Sequence, residues 1–143
     1  TMCYRETKIP EFLQQAKKVE EFLFNHPHMP TDYVPYWDFD APEIPNEPRD
    51  ASAAAIIASA LYELSLYDPE NAERDKERAD KILENLSKNY RATMGHDNGF
   101  LLLHSTGTKP TNVEVDVPIV YADYYFIEAL LRKDRLEKTG KLF

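Results

Sequence analysis

Cysteine occurs once in the 143-residue chain, at Cys3. A single thiol excludes an internal disulfide and fits no metal-site spacing, so it gives no hint of redox compartment. Basic runs are absent as well, and the formal charge is −8. Neither nucleic acid nor an anionic membrane surface is an expected partner for such a chain. No apolar run approaches the roughly 18 residues of a membrane span. The N-terminus lacks the charged, apolar and small-residue order of a signal peptide. The chain starts at Thr1 rather than Met, so a processed or truncated product of a longer, exportable precursor is an open reading.

What is present suits one globular unit, residues 1–143, with 43% hydrophobic content. From Pro10, the residues Phe12, Leu13, Ala16, Val19, Phe22 and Leu23 recur at helical spacing opposite Glu11, Gln14, Lys17, Lys18 and Glu21. This predicts an amphipathic helix. It stops at Asn25, His26 and Pro27, and six prolines between Pro27 and Pro48 exclude a continuous helix to Arg49. The segment RDASAAAIIASALYELSLY follows. Asp50 or Ser52 can cap it, and its alanine-rich pattern leaves no polar face, which predicts a buried helix. After a break at Asp68 and Pro69, the stripe Ala72, Ala79, Ile82, Leu83, Leu86 and Tyr90 predicts a second amphipathic helix. GHDNG at 95–99 leads into a polar loop, and from Pro118 a helix mixes Tyr121, Asp123, Tyr124, Tyr125 and Glu128 with apolar residues on nearly every side. That helix is expected to be mostly buried, with its acids and phenols either lining a wet cavity or forming an internal network. The tail RKDRLEKTGKLF is expected to fray.

The order is amphipathic, long loop, buried, short turn, amphipathic, long loop, buried. If consecutive helices are antiparallel, both long loops lie at one end. The aromatic loop VPYWDFDAP, with Trp37 beside Asp38 and Asp40, then shares a rim with the polar loop HSTGTKPT at 104–111. Aromatic rings next to carboxylates suit a sugar, whose C–H faces stack while its hydroxyls bond to acids. The plain alternative is that the aromatics pin a long loop to the core. The predicted fold class is all-α: part of an α/α barrel or toroid, with outer amphipathic and inner buried helices in alternation.

Three strings, VPYWDFDAPEIPNEPRDASAAAI, GFLLLHSTGTKP and VDVPIVYADYYFIEALLR, together resemble the C-terminal portion of the unsaturated glucuronyl hydrolases, glycoside hydrolase family 88. The opening TMCYRETKIPEFLQQAKKVEEFL resembles the outer helix before that region. The resemblance implies a six-hairpin α/α barrel that removes a 4,5-unsaturated uronic acid from lyase-generated oligosaccharides. An aspartic acid protonates the vinyl carbon and assists addition of water, and the hemiketal opens. This differs from paired-carboxylate displacement at the anomeric carbon. It implies no metal and no organic cofactor. The family's two catalytic aspartates lie in the N-terminal half of the barrel, so no residue here inherits a catalytic role, and the chain reads as a C-terminal portion.

The substrate-binding candidates are Trp37, His104, Ser105, Thr108, Lys109, Thr111 and Tyr124. Some family members use hydroxyls and a lysine in the loop after LLLH to meet carboxylate or sulfate groups, which points to Ser105, Thr108, Lys109 and Thr111. A solvated turn on Gly107 and Pro110 is the alternative there. His104 and Tyr124 compete with structural roles, a satisfied histidine and a buried network. His96 and Asp97 make no metal site without further ligands. Expected partners are an unsaturated uronyl oligosaccharide and either the N-terminal half of the barrel or a second copy. The alternatives are an unsaturated rhamnogalacturonyl hydrolase-like enzyme, or a non-catalytic helical module that binds glycans or other proteins.

Overall fold

Helix starts twice before residue 25. Met2–Thr7 forms α1, which closes at Lys8 in the left-handed conformation (φ 58°). Pro10 then sits in the first turn of α2, Pro10–Asn25, where its missing N–H is no loss. The opening segment that reads as one outer helix is therefore two. The computed structural model describes residues 1–142. Helix α3, Ala51–Leu64, starts at Asp50, whose side chain accepts the Ser52 N–H at 3.0 Å. Helix α4 spans Ala72–Asn89. Helix α5, Val120–Thr139, ends on Gly140 in the left-handed region that glycine tolerates best (φ 68°). Among the described residues there are isolated antiparallel bridges but no named strand.

Side-chain pairings give the helix directions. The Ser59 hydroxyl donates to Glu128, and Arg132 pairs with Glu63 at 3.0 Å. A step of four residues on α3 thus matches a step of four on α5, so these two run parallel. Lys17 meets Asp68 at 2.8 Å, and Glu20 meets Arg74 at 3.1 Å and also Arg78. Helices α2 and α4 are therefore parallel to each other as well. The short link after α3 reverses the chain, and the Tyr62 hydroxyl donates to Asp80 across the antiparallel α3–α4 contact. The result is an inner pair, α3 and α5, and an outer pair, α2 and α4. Burial pushes the Glu20 and Asp75 carboxyls up from their ordinary range against the pull of Arg78 and Arg74 respectively.

Alanine makes the inner layer possible. Ala51, Ala54, Ala55 and Ala58 on α3 and Ala122 and Ala129 on α5 are fully buried, so backbones approach without large side chains between them. Tyr62, Ile82, Leu86, Leu102 and Phe126 complete the core.

Two expectations need correction, and one open alternative is decided. Helix α5 is not mostly buried: Val120, Tyr124, Ile127 and Leu131 form an exposed stripe at helical spacing, because among the described helices its cover comes chiefly from α3, with a little from α4. Phe143 lies outside the described residues, and over the rest, to Leu142, the tail does not fray. It stays helical to Thr139, buries Arg132 in ion pairs, and tucks Leu142 into the core. Of the two alternatives open for the acids of α5, a wet cavity or an internal network, Glu128 and Asp123 follow the network. Glu128 binds Ser59 and Arg132, and Asp123 accepts the Leu101 and Leu102 N–H groups, each at 2.9 Å.

Candidate functional site

The two long loops meet at the start of α3. In the first, Tyr36 and Arg49 form an antiparallel bridge, and the Trp37 N–H donates to the Pro48 carbonyl at 3.1 Å. The proline-rich string therefore folds back on itself and presents Trp37 beside Glu47. The second loop is held by Asp123, then closes into a small lobe. Ser105 and Val117 exchange two backbone hydrogen bonds at 3.0 and 2.9 Å, and Thr108 N–H donates to Val113 at 3.1 Å near the tip. The loops are joined directly. The Ala51 N–H donates to the His104 carbonyl at 3.0 Å, and the Thr106 hydroxyl donates to the Arg49 carbonyl at 3.0 Å.

At the centre lies the buried Glu47 carboxylate. It accepts the Trp37 indole N–H at 2.9 Å, the Glu43 N–H at 3.2 Å and the Lys109 ammonium. The ammonium in turn stands 5.4 Å from the centre of the Trp37 ring. Beside this corner an open cleft of about 370 Å³ is lined by Asn46, Glu47, Pro48, Arg49, Tyr90, His104 and Asp116. Arg49 binds Asp32 and the Val34 carbonyl and lies over the Tyr36 ring. His104 Nδ1 lies 2.7 Å from Asp116 Oδ1. Both residues have left-handed backbone, φ 63° and 54°, on either side of the Ser105–Val117 bridge. Such backbone persists only where surrounding contacts impose it.

The predicted candidates divide accordingly. Trp37 and Lys109 come together, and His104 lines the adjoining cleft. Thr108 and Thr111 sit exposed on the tip of the lobe, where the Thr111 hydroxyl donates to the Thr108 carbonyl at 3.2 Å. Ser105 is not on the rim. It is fully buried, because its pairing with Val117 carries it beneath the lobe. Tyr124 stands apart on the exposed stripe of α5, its ring edge-on to Tyr125 at 5.1 Å. Glu47, Asp32 and Tyr90 belong to the rim without having been singled out. Nothing in the sequence around any of the three marks it, and contact with distant residues is what brings it to the rim. Among the described residues no group of three or more His, Cys, Asp or Glu could hold a metal ion.

Lys109 holds the Glu47 carboxyl below its ordinary value of 4.5, burial opposes this, and the Trp37 hydrogen bond adds to it. Since the folded value lies below the unfolded one, the stability from this clamp is fully present above pH 4.5 and is lost as the pH falls through the folded value. Trp37 is the single tryptophan. Its emission should hold steady between about pH 7 and 5 and change only on further acidification. A change centred near neutrality would contradict the clamp.

Two layers of helices, outer and inner in alternation with loops gathered at one end, define part of an α/α barrel. No protein-family model matches the chain. It is 49% identical over 137 residues to the unsaturated glucuronyl hydrolase of Formosa agariphila, covering 95% of this chain and 34% of that protein. Among solved structures it is similar to an unsaturated glucuronyl hydrolase specific for heparin, with TM-score 0.92, 43% identity, and coverage of 96% of this chain and 37% of that one. It is also similar to a mutant unsaturated glucuronyl hydrolase from Streptococcus agalactiae complexed with dGlcA-GalNAc6S, with TM-score 0.78, 29% identity, and coverage of 92% and 35%. The chain is a relative of the unsaturated glucuronyl hydrolases, in agreement with the resemblance carried by its three strings, and it spans about a third of the length of the relatives it matches.

Proposed function

We propose that this chain supplies one side of the substrate rim of a hydrolase that removes a 4,5-unsaturated uronic acid from oligosaccharides, and that residues 1–143 act as one structural unit of that enzyme. One observation carries the reading. In a chain 49% identical to such a hydrolase, Trp37 and Lys109, which are 72 positions apart in sequence, converge on one carboxylate at the mouth of the inner helices. The Trp37 ring offers a face for the C–H side of a sugar. Thr108, Thr111, His104 and Lys109 offer hydroxyl, imidazole and ammonium groups to its oxygens. A pocket with one ring and a few converging polar groups fixes orientation as well as affinity.

In the reaction a proton adds to the vinyl carbon and water oxygen to the neighbouring ring carbon, giving a hemiketal that opens and releases the sugar. The proton must come from a positioned acid. The acids of the rim already have partners: Glu47 has Trp37 and Lys109, Asp32 has Arg49 and Tyr90, Asp116 has His104, Asp38 accepts the Asp40 amide, Asp123 accepts two backbone amides, and Asp50 caps α3. The chain by itself is therefore a binding surface. It should bind an unsaturated disaccharide saturably and leave the ultraviolet absorption of the enol ether unchanged. Protein-dependent loss of that absorption would move the acid into this chain, to Asp38, Asp50, Asp116 or Asp123. Absence of binding would remove the rim assignment.

A further inference from the structure

The rim contains three groups that are or can become cationic, and each already faces an acid. Lys109 pairs with Glu47, Arg49 with Asp32, and His104 with Asp116. The Lys109 pair differs from the other two in burial. The Glu47 side chain is 1% exposed, whereas Lys109 keeps 31%. The carboxylate therefore lies beneath the ammonium, fixed by the Trp37 indole and the Glu43 amide, and cannot swing away to release its partner. An anion that reached Lys109 from solvent would also face the Glu47 charge a few ångströms behind it. In a partly buried site such a like charge is weakly screened. Asp116 and Glu114 on the lobe and Glu43 on the facing loop are exposed and add to the same sign.

This inference rests on the sugar-binding reading of the rim. We propose that Glu47 determines its specificity: by neutralising Lys109 it makes the Trp37–Lys109 corner a site for an uncharged sugar ring, selective against one that carries a sulfate. Lys109 then serves as a hydrogen-bond donor to hydroxyls, held over the Trp37 ring, rather than as an anion clamp.

Glu47→Gln tests the assignment, since the amide oxygen can still accept the Trp37 indole N–H while the charge is gone. Calorimetric titration with dGlcA-GalNAc and with dGlcA-GalNAc6S gives the ratio of affinities. The wild-type chain should favour the unsulfated sugar by about 10-fold, and Glu47→Gln should shift the ratio toward the sulfated sugar by about 10-fold or more. Adding Lys109→Met to Glu47→Gln should abolish that shift, because the freed charge is its source. Helical circular dichroism and Trp37 emission establish that the variants keep the fold. If Glu47→Gln unfolds, Lys109→Met alone decides. It leaves Glu47 as an unpaired acid, so the sulfated sugar should weaken more than the unsulfated one, and equal weakening overturns the proposal. Equal affinity for both sugars in the wild type, or an unchanged ratio in folded Glu47→Gln, overturns the proposal and leaves the rim in place. Binding of neither sugar overturns both.

Discussion

Replacing Arg132 with leucine should lower the stability of the chain by about 3 to 5 kcal/mol, the usual cost of breaking a buried ion pair from one side. Arg132 is buried and donates to the Ser59 carbonyl at 2.7 Å, while pairing with Glu63 at 3.0 Å and Glu128 at 3.4 Å. Glu63 has no exposed surface, and Arg5, 3.2 Å from its other oxygen, is its remaining cationic neighbour. Leucine at 132 leaves most of that charge uncompensated. A second substitution, Glu63→Leu, removes the stranded carboxylate and should recover a large part of the loss, since apolar replacement of a whole buried pair is often neutral or better. Urea unfolding of the two variants measures both steps. A loss below about 1 kcal/mol for Arg132→Leu would put the pair in effective contact with water.

The second large effect concerns assembly. Helix α5 exposes Val120, Ile127 and Leu131, and an apolar groove of about 370 Å³ between α2 and α3 is lined by Phe12, Val19, Leu23, Ile56 and Ile57. On the inner helices Leu61 and Phe126 are buried, whereas Ile56, Ile127 and Leu130 are exposed. Fully burying one such side chain is worth about 1.5 to 3 kcal/mol. Contiguous exposed patches of this kind mark association surfaces. The relatives are about three times as long, and the chain covers 34% and 37% of two of them. In dilute solution the chain should therefore self-associate through these faces, with a sedimentation coefficient that rises with concentration. Ile127→Glu together with Leu131→Glu should shift it toward monomer. A compact wild-type monomer with a sharp, concentration-independent thermal transition would contradict this.

Much of the architecture is legible in the periodicity. The stripes of α2 and α4 and the alanine run of α3 mark outer and inner helices, and the alternation of short and long connections places both loops at one end. The loop meeting predicted from that alternation is the one the structure shows, through Ala51, Arg49, His104 and Thr106. What periodicity cannot carry is pairing between distant polar residues. Arg132 reads as part of a soluble tail because its charge says exposure, and only the depth of Glu63 across α3 reverses that. Ser105 reads as a hydroxyl in a polar loop, yet one bridge to Val117 takes it inside. Glu47 lies among prolines with nothing to distinguish it from Glu43. Its importance exists only once Trp37 and Lys109 arrive from opposite loops.

Trp37 offers the most direct test of the central claim, that two distant loops form one sugar-binding rim. It is the single tryptophan, on the first loop, while Thr108 lies on the tip of the second. Emission recorded during titration with dGlcA-GalNAc should change saturably in the wild-type chain, and in Thr108→Ala the same change should require about 10-fold more sugar, the effect of losing roughly one good hydrogen bond. Emission that ignores the sugar, or a titration identical in Thr108→Ala and wild type, would show that the two loops do not act as one rim.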